Sequence, residues 1–280
     1  MNVSELKRIA SQVRRDIVRQ TNGANSGHPG GSLGCTDLLV ALYFNTMKFT
    51  PRPFDMDGKG QDVFFLSNGH ISPLFYSVLA RSGHFDVKEL TTFRKIDSRL
   101  QGHPATHEGL EGVRIASGSL GQGLSVAVGA ALSKRLNKDT NLVYCLCGDG
   151  EMEEGQIWEA VMYAGARKVD NLILTIDVNN QQIDGSIDHV LPYGDLSPKM
   201  ESFGWKTLRM DGNDMQQVVD TLDKAKQAAG KGQPVCILMK SEMGMGVDFM
   251  MGSHKWHGVA PNEQQTADAL AQLEETLGDY

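Results

Sequence analysis

The sequence has no basic excess: 27 Lys and Arg stand against 34 Asp and Glu, a net charge of −7 over 280 residues. A broad nucleic-acid surface, which gathers phosphates with cationic side chains, is therefore not expected. A small anionic ligand stays open, because backbone N–H groups and a metal can hold phosphate without net basicity. No apolar run approaches the roughly 18–20 residues of a membrane span. The four cysteines, Cys35, Cys145, Cys147 and Cys236, are too few for the disulfide framework of a small secreted protein. Cys145 and Cys147 share the apolar run 141–147, where a period of two points both to one sheet face. They read as small core residues, with metal binding second because a zinc site needs more ligands nearby.

No signal peptide is evident either. Leu6, Ile9, Ala10, Val13 and Ile17 recur at helical spacing, with Glu5 and Asp16 among the basic residues. That is the pattern of a folded amphipathic helix rather than an acid-poor presequence, and it implies a cytoplasmic protein. There is no internal repeat, low-complexity segment or linker-like run. The simplest organisation is one domain over residues 1–280, loop-rich from about 241 and ending in an acidic helix.

What is present is an alternation of helix and strand signals. Helices are predicted at about 2–21, 35–46 (capped near Ser32), 73–81, 121–136, 155–167 and 213–229. Strands are predicted at 62–66, 142–147, 171–177, 205–210 and 234–240, with a loop-rich stretch at 83–119. Such alternation predicts an α/β fold with a mostly parallel sheet flanked by helices.

Open parallel sheets bind ligands beyond the carboxyl ends of their strands, so the loops there carry the most information. After strand 142–147 comes Gly148-Asp149-Gly150-Glu151-Met152-Glu153-Glu154-Gly155. A dinucleotide fingerprint fails here, because the third glycine comes too late. Asp149 would also repel a bare pyrophosphate unless a divalent cation stood between them. Mg²⁺ favours oxygen ligands and bridges carboxylates to phosphates. A second oxygen donor is available thirty positions on, where the next strand ends in Asp177-Val178-Asn179-Asn180-Gln181. Thirty residues is about one βαβ unit, so the two strand ends would meet at one edge. The competing reading is two ordinary surface turns, since Asp-Gly and Asn-Asn are common in turns. The pair in its strand context is far more specific than either part.

With these residues in view, the chain resembles the thiamine-diphosphate enzymes, whose diphosphate motif is this G-D-G…N pattern. Ser26-Gly27-His28-Pro29-Gly30, Ser67-Asn68-Gly69-His70, Gly102-His103-Pro104, Gly118–Gly123 and Gly252-Ser253-His254-Lys255-Trp256-His257-Gly258 narrow the resemblance to transketolases, in the order of that family's N-terminal half. The resemblance implies the thiamine-diphosphate-binding fold. It implies that Asp149 and Asn179 give side-chain oxygens to Mg²⁺ (or another divalent cation such as Ca²⁺ or Mn²⁺), and Gln181 its backbone carbonyl. It places Gly148, Gly150 and Glu151 at the diphosphate, and Gly118 and Leu120 at the cofactor. It places His28, His70, His103 and His254 beside the reactive carbon, with His70 and His254 also touching cofactor, and Glu154 in a proton relay at a subunit interface. His84, His107 and His189 lie outside these motifs and read as surface. Lys255 and Trp256 would shape the channel mouth, and the run Met243–Met251 reads as flexible loop or core filler.

The resemblance also implies an incomplete site. In transketolases the cofactor sits between this domain type and a pyrimidine-binding domain, which supplies the glutamate that acts on the aminopyrimidine. A separately encoded C-terminal subunit is therefore expected, in a heterotetramer with two copies of each chain. Small residues at Ala127, Gly129, Ala130, Ala131, Ala160, Ala164, Gly165 and Ala166 suggest the helices that meet it. The implied activity is transfer of a two-carbon ketol unit from a ketose phosphate to an aldose. The alternatives are the α subunit of a 2-oxo acid dehydrogenase, which shares G-D-G…N without the histidine set, and a non-catalytic regulatory half.

Overall fold

A computed structural model describes residues 1–280. Helix α1 (Val3–Gly23) opens on a capping box in which the Asn2 side chain and Glu5 satisfy each other's backbone N–H groups. Its apolar stripe, Leu6, Ile9, Ala10, Val13 and Ile17, is fully or almost fully buried. Helices α2 (Pro29–Gly34) and α3 (Thr36–Ala41) follow, and a wide π-type turn closes this run at Leu42–Thr46. The helix expected from 35 thus starts six residues earlier. Pro29 suits a first turn because its missing N–H would be unpaired there anyway. Ser32 lies inside α2, and its Oγ donates to the His28 carbonyl instead of capping.

Strand β1 (Val63–Leu66) leads to α4 (Ser72–Arg81), then a long irregular stretch to α5 (Gly123–Leu136). Strand β2 (Val143–Gly148), α6 (Gly155–Ala166) and β3 (Leu172–Val178) form the central βαβ unit. A short antiparallel hairpin, β4 (Gln181–Gln182) and β5 (Gly185–Ser186), follows, with α7 (Ile187–Val190) and α8 (Leu196–Ser202). None of these short elements was predicted, because two to seven residues are too few to show a period. The chain ends with β6 (Lys206–Asp211), α9 (Met215–Ala228), β7 (Val235–Lys240) and α10 (Glu263–Gln272).

The main sheet has the order β1-β2-β3-β7-β6, with every pairing parallel. The two sides of β2 feed two cores. Tyr144 and Leu146 join the larger one, under α1, α3, α4 and α9; Val143, Cys145 and Cys147 join the other, under α5 and α6. All four cysteines are buried and free.

Two expectations fail, the second only in part. His84 is buried, not superficial: its ring stacks on Phe49 at 5.4 Å, and Ser82 Oγ lies 3.1 Å from its Nδ1. Ala127, Ala131, Ala160 and Ala164 are buried in the chain's own second core rather than offered to a partner. They allow α5 and α6 to approach the sheet. Gly165 is just as internal, since a Cβ there would sit 1.8 Å from the Phe203 carbonyl oxygen. Of the two readings of the Met-rich run, core filler holds for Met243 and Met250, which are buried. Trp256 packs edge-on against Phe249 at 5.4 Å.

Candidate active site

The register sets Gly148 beside Asp177, so β2 and β3 end together. Asp149 accepts hydrogen bonds from Gly150 N (2.9 Å), Asn180 N (2.6 Å) and Tyr193 Oη (3.4 Å). Asn179 donates through Nδ2 to Asp177 (2.8 Å), which fixes its amide so that Oδ1 faces Gln181 N at 2.8 Å. Asn180 makes the sharp turn with φ +59°, a left-handed conformation that Asn tolerates better than most residues. Asp177 is buried and held by Ser241 Oγ and Asn179. Two buried carboxylates at one strand edge resist ionisation together. Burial, then the charge of Asp177, pushes Asp149 up to about 7.

Asp149, Asn179 and Gln181 line one cleft, where a carboxylate and an amide offer oxygen, the ligand chemistry a hard cation takes. Two observations fit a cation and a phosphate ester here. The excess buried negative charge has no cationic side chain among the hydrogen-bond partners of Asp149 or Asp177. A Cβ at Gly148 or Gly150 would meet nothing of this chain closer than 3.9 and 3.4 Å, so these glycines leave room on the cleft side that the chain's own packing does not need.

Glu151 is turned inward. Its carboxylate accepts from Ser67 Oγ, Gly121 N (2.8 Å) and Gly148 N (3.1 Å), and Ser67 Oγ in turn accepts from Gly123 N (3.0 Å). One buried carboxylate therefore ties the end of β1, the glycine loop 118–123 and the end of β2. Gly118 in that loop has φ +122°, and a Cβ there would lie 2.4 Å from His103 Cδ2.

The histidines converge from four loops. Ring centroids are 5.2 Å apart for His28–His70, 6.1 Å for His28–His103, 5.6 Å for His28–His257 and 5.1 Å for His70–His257. Burial holds His28 down at about 4 and lowers His70 and His257; the more exposed His103 is lowered by partial desolvation and then by Arg94. His28 Nδ1 is buried with no partner.

A cleft of about 610 Å³ joins these parts. It is lined by His28, His70, His103, Gly118, Leu120, Gly148, Asp149, Gly150, Glu151, Glu154, Asn179 and Gln181, which is every site residue expected from sequence except His254. His257 lines the cleft instead. The two share one tight turn, closed by His257 N donating to the His254 carbonyl at 2.9 Å. The sequence showed His-x-x-His-Gly but not which ring points in. Reading by motif also passed over Asp177 and Tyr193, which brace Asn179 and Asp149, and the apolar Ile183 and Leu191 on the cleft wall.

The architecture has solved counterparts. It superposes on transketolase from Campylobacter jejuni with a TM-score of 0.89 and 33% identity, over 98% of this chain and 43% of that one. Fold and strand-end site together define an α/β domain of the thiamine-diphosphate-binding class. A family profile described as "Transketolase, thiamine diphosphate binding domain" matches residues 6–278. The chain is 36% identical to a 6-deoxy-6-sulfo-D-fructose transketolase subunit, SqwG, of Clostridium sp. (strain MSTE9), over 96% of both chains. It is 34% identical to an apulose-4-phosphate transketolase subunit of Actinobacillus succinogenes, over 98% of both. Transketolase of Mus musculus is 34% identical over 95% of this chain but only 41% of its own length. The chain belongs to the transketolase family, as its thiamine-diphosphate-binding domain.

Proposed function

We propose that this chain is the diphosphate-binding subunit of a thiamine-diphosphate-dependent transketolase, moving a two-carbon ketol unit from a ketose phosphate to an aldose. The carrying observation is the shared cleft, which Asp149, Asn179 and Gln181 at the strand ends line together with His28, His70, His103 and His257. In this reading the chain is a single domain acting in the cytoplasm. No helix of this chain is long and apolar enough to cross a membrane.

In this reading Asp149, Asn179 and the Gln181 carbonyl hold Mg²⁺ or a similar divalent cation, and Gly148 and Gly150 admit the diphosphate. Thiamine diphosphate, when bound, supplies the electron sink for carbon–carbon cleavage. The chain's own work is positioning and proton transfer. A neutral imidazole accepts a proton at one nitrogen and donates at the other. His28 and His103 can thus take the proton from a sugar hydroxyl as the carbon–carbon bond breaks, and return it to the acceptor. Ile183 and Leu191 give the cleft an apolar wall. Glu154 stands exposed on the rim, where it can relay protons to a partner chain.

The partner is a separately encoded chain with the pyrimidine-binding domain, in a heterotetramer of two copies each. Two relatives are named as subunits, and the mouse enzyme is more than twice as long as the matched part. The outward apolar residues Val126 on α5 and Met162 and Tyr163 on α6, exposed by 42–55%, are the side chains offered to that partner in this reading. The test is a ketol-transfer assay with Mg²⁺ and thiamine diphosphate, on this chain alone and with the product of a neighbouring gene. Activity should need both chains. Full activity of this chain alone would refute the subunit reading; silence of the pair toward ketose phosphates, with activity on a 2-oxo acid, would favour the dehydrogenase.

A further inference from the structure

Arg94 is the one guanidinium close to the histidine cluster, and its hydrogen-bond partners are neutral. Nη1 donates to Ser26 Oγ at 3.0 Å, two residues before His28. Nη2 reaches the Gly102 carbonyl at 3.4 Å, one residue before His103. That carbonyl also accepts from Ser72 Oγ at 2.7 Å, two residues after His70. The loops that carry three of the four cleft histidines therefore meet at one hydrogen-bonded hub. The guanidinium lies flat against the Gly102 backbone, where a Cβ would come within 2.7 Å of its Cζ. Its Nε is shut off from water without a partner. Arg94 itself holds φ +57°, a left-handed conformation unfavourable for an L residue, and its own N–H donates to the Leu100 carbonyl at 2.9 Å. Strain and an uncompensated charge persist where the surroundings over-determine them, and such places cluster at functional sites.

We propose that Arg94 is a positioning residue for the histidine cluster: it locks the loops of His28, His70 and His103 in one arrangement and sets an unpaired positive charge beside them. Removing either effect has a separate signature. A nearby cation disfavours the imidazolium. For His28 the lowering comes first from burial, then from His257, Arg94 and His103; for His103 it comes from burial, then Arg94. The other titratable groups facing this cluster are His70 from the turn before α4, His254 acting on His257, and Tyr76 of α4 opposite Arg94. The charge keeps His28 and His103 in the proton-accepting form, and the fork keeps their rings in register. The catalytic consequence rests on the ketol-transfer reading; the structural claim does not.

The test is histidine titration by NMR on the full chain labelled at its imidazoles, for the unsubstituted protein, Arg94→Gln and Arg94→Lys. In the unsubstituted chain His28 should titrate at about 4. Arg94→Gln should move His28 and His103 upward. Arg94→Lys keeps the charge and loses the fork. It should leave the titrations low while weakening the ring-to-ring contacts among His28, His70 and His257. In the reconstituted pair, Arg94→Lys should lower kcat about tenfold with little change in KM, less than the roughly 10²–10⁴-fold that a positioned proton-transfer group contributes, because the rings are displaced and not removed. Unchanged titrations and ring contacts in a folded Arg94→Gln chain would overturn the proposal. So would an Arg94→Lys chain that fails to fold, which would make Arg94 a stability residue. Normal titration shifts with no ketol transfer by any variant, the unsubstituted pair included, would count against the functional reading and leave the positioning role standing.

Discussion

His254 and His257 stand three residues apart in one tight turn, yet only His257 reaches the cleft. Its ring lies 5.1 Å from His70 and 5.6 Å from His28, whereas His254 does not line the cleft. The two substitutions should therefore differ. His257→Ala should cost roughly 10²-fold or more in turnover, as loss of a proton-transfer group does, and His254→Ala should cost much less. Steady-state rates of the reconstituted pair check this, and equal losses would put His254 back in the site. The motif His-x-x-His-Gly was legible; the choice between its rings was not, because it depends on how the turn packs, with Trp256 edge-on to Phe249, and the motif does not carry that. Asp177 escaped for a similar reason: it looked like the last core position of a strand, and only the fold shows it gripping the Asn179 amide.

The elements that place the site were the most legible part of the chain. Strands β2 and β3 are apolar runs with turn residues beyond them, and the thirty-residue spacing from Asp149 to Asn179 is the length of the unit they form. The helices were harder to interpret. The alanines of α5 and α6 suggested an external contact, but Ala127, Ala131, Ala160 and Ala164 serve the internal one. Small residues mark close approach without saying to what. Gly165 makes the point testable, because a methyl group there meets the Phe203 carbonyl at 1.8 Å and the backbone cannot yield cheaply. Gly165→Ala should destabilise the chain by about 1–3 kcal/mol, the usual cost of overpacking. Urea unfolding would show it, and an unchanged midpoint would mean that α6 and the 203–205 segment are separated in solution. The short hairpin β4–β5 and helix α7, which carry Gln181, Gln182 and one wall of the cleft, had no periodicity to reveal them.

At the scale of the molecule, a five-stranded parallel sheet with a core on each face brings the four histidine loops and the loops after β2 and β3 to one cleft. Local devices hold that cleft in order: the Glu151 carboxylate for the glycine loop, Asp177 for the amide, Arg94 for the histidines. What the cleft leaves unbalanced is charge, since Asp149 and Asp177 are buried together and Asp149 is pushed up to about 7. The central claim is that a divalent cation and a diphosphate complete this cleft. Its most direct test is Mn²⁺ binding followed by electron paramagnetic resonance, on this chain with its partner, with and without thiamine diphosphate. One Mn²⁺ per chain should bind with the cofactor present, and Asp149→Asn should weaken that binding at least tenfold by removing the charged oxygen ligand. Undiminished Mn²⁺ and cofactor binding by Asp149→Asn would contradict the account.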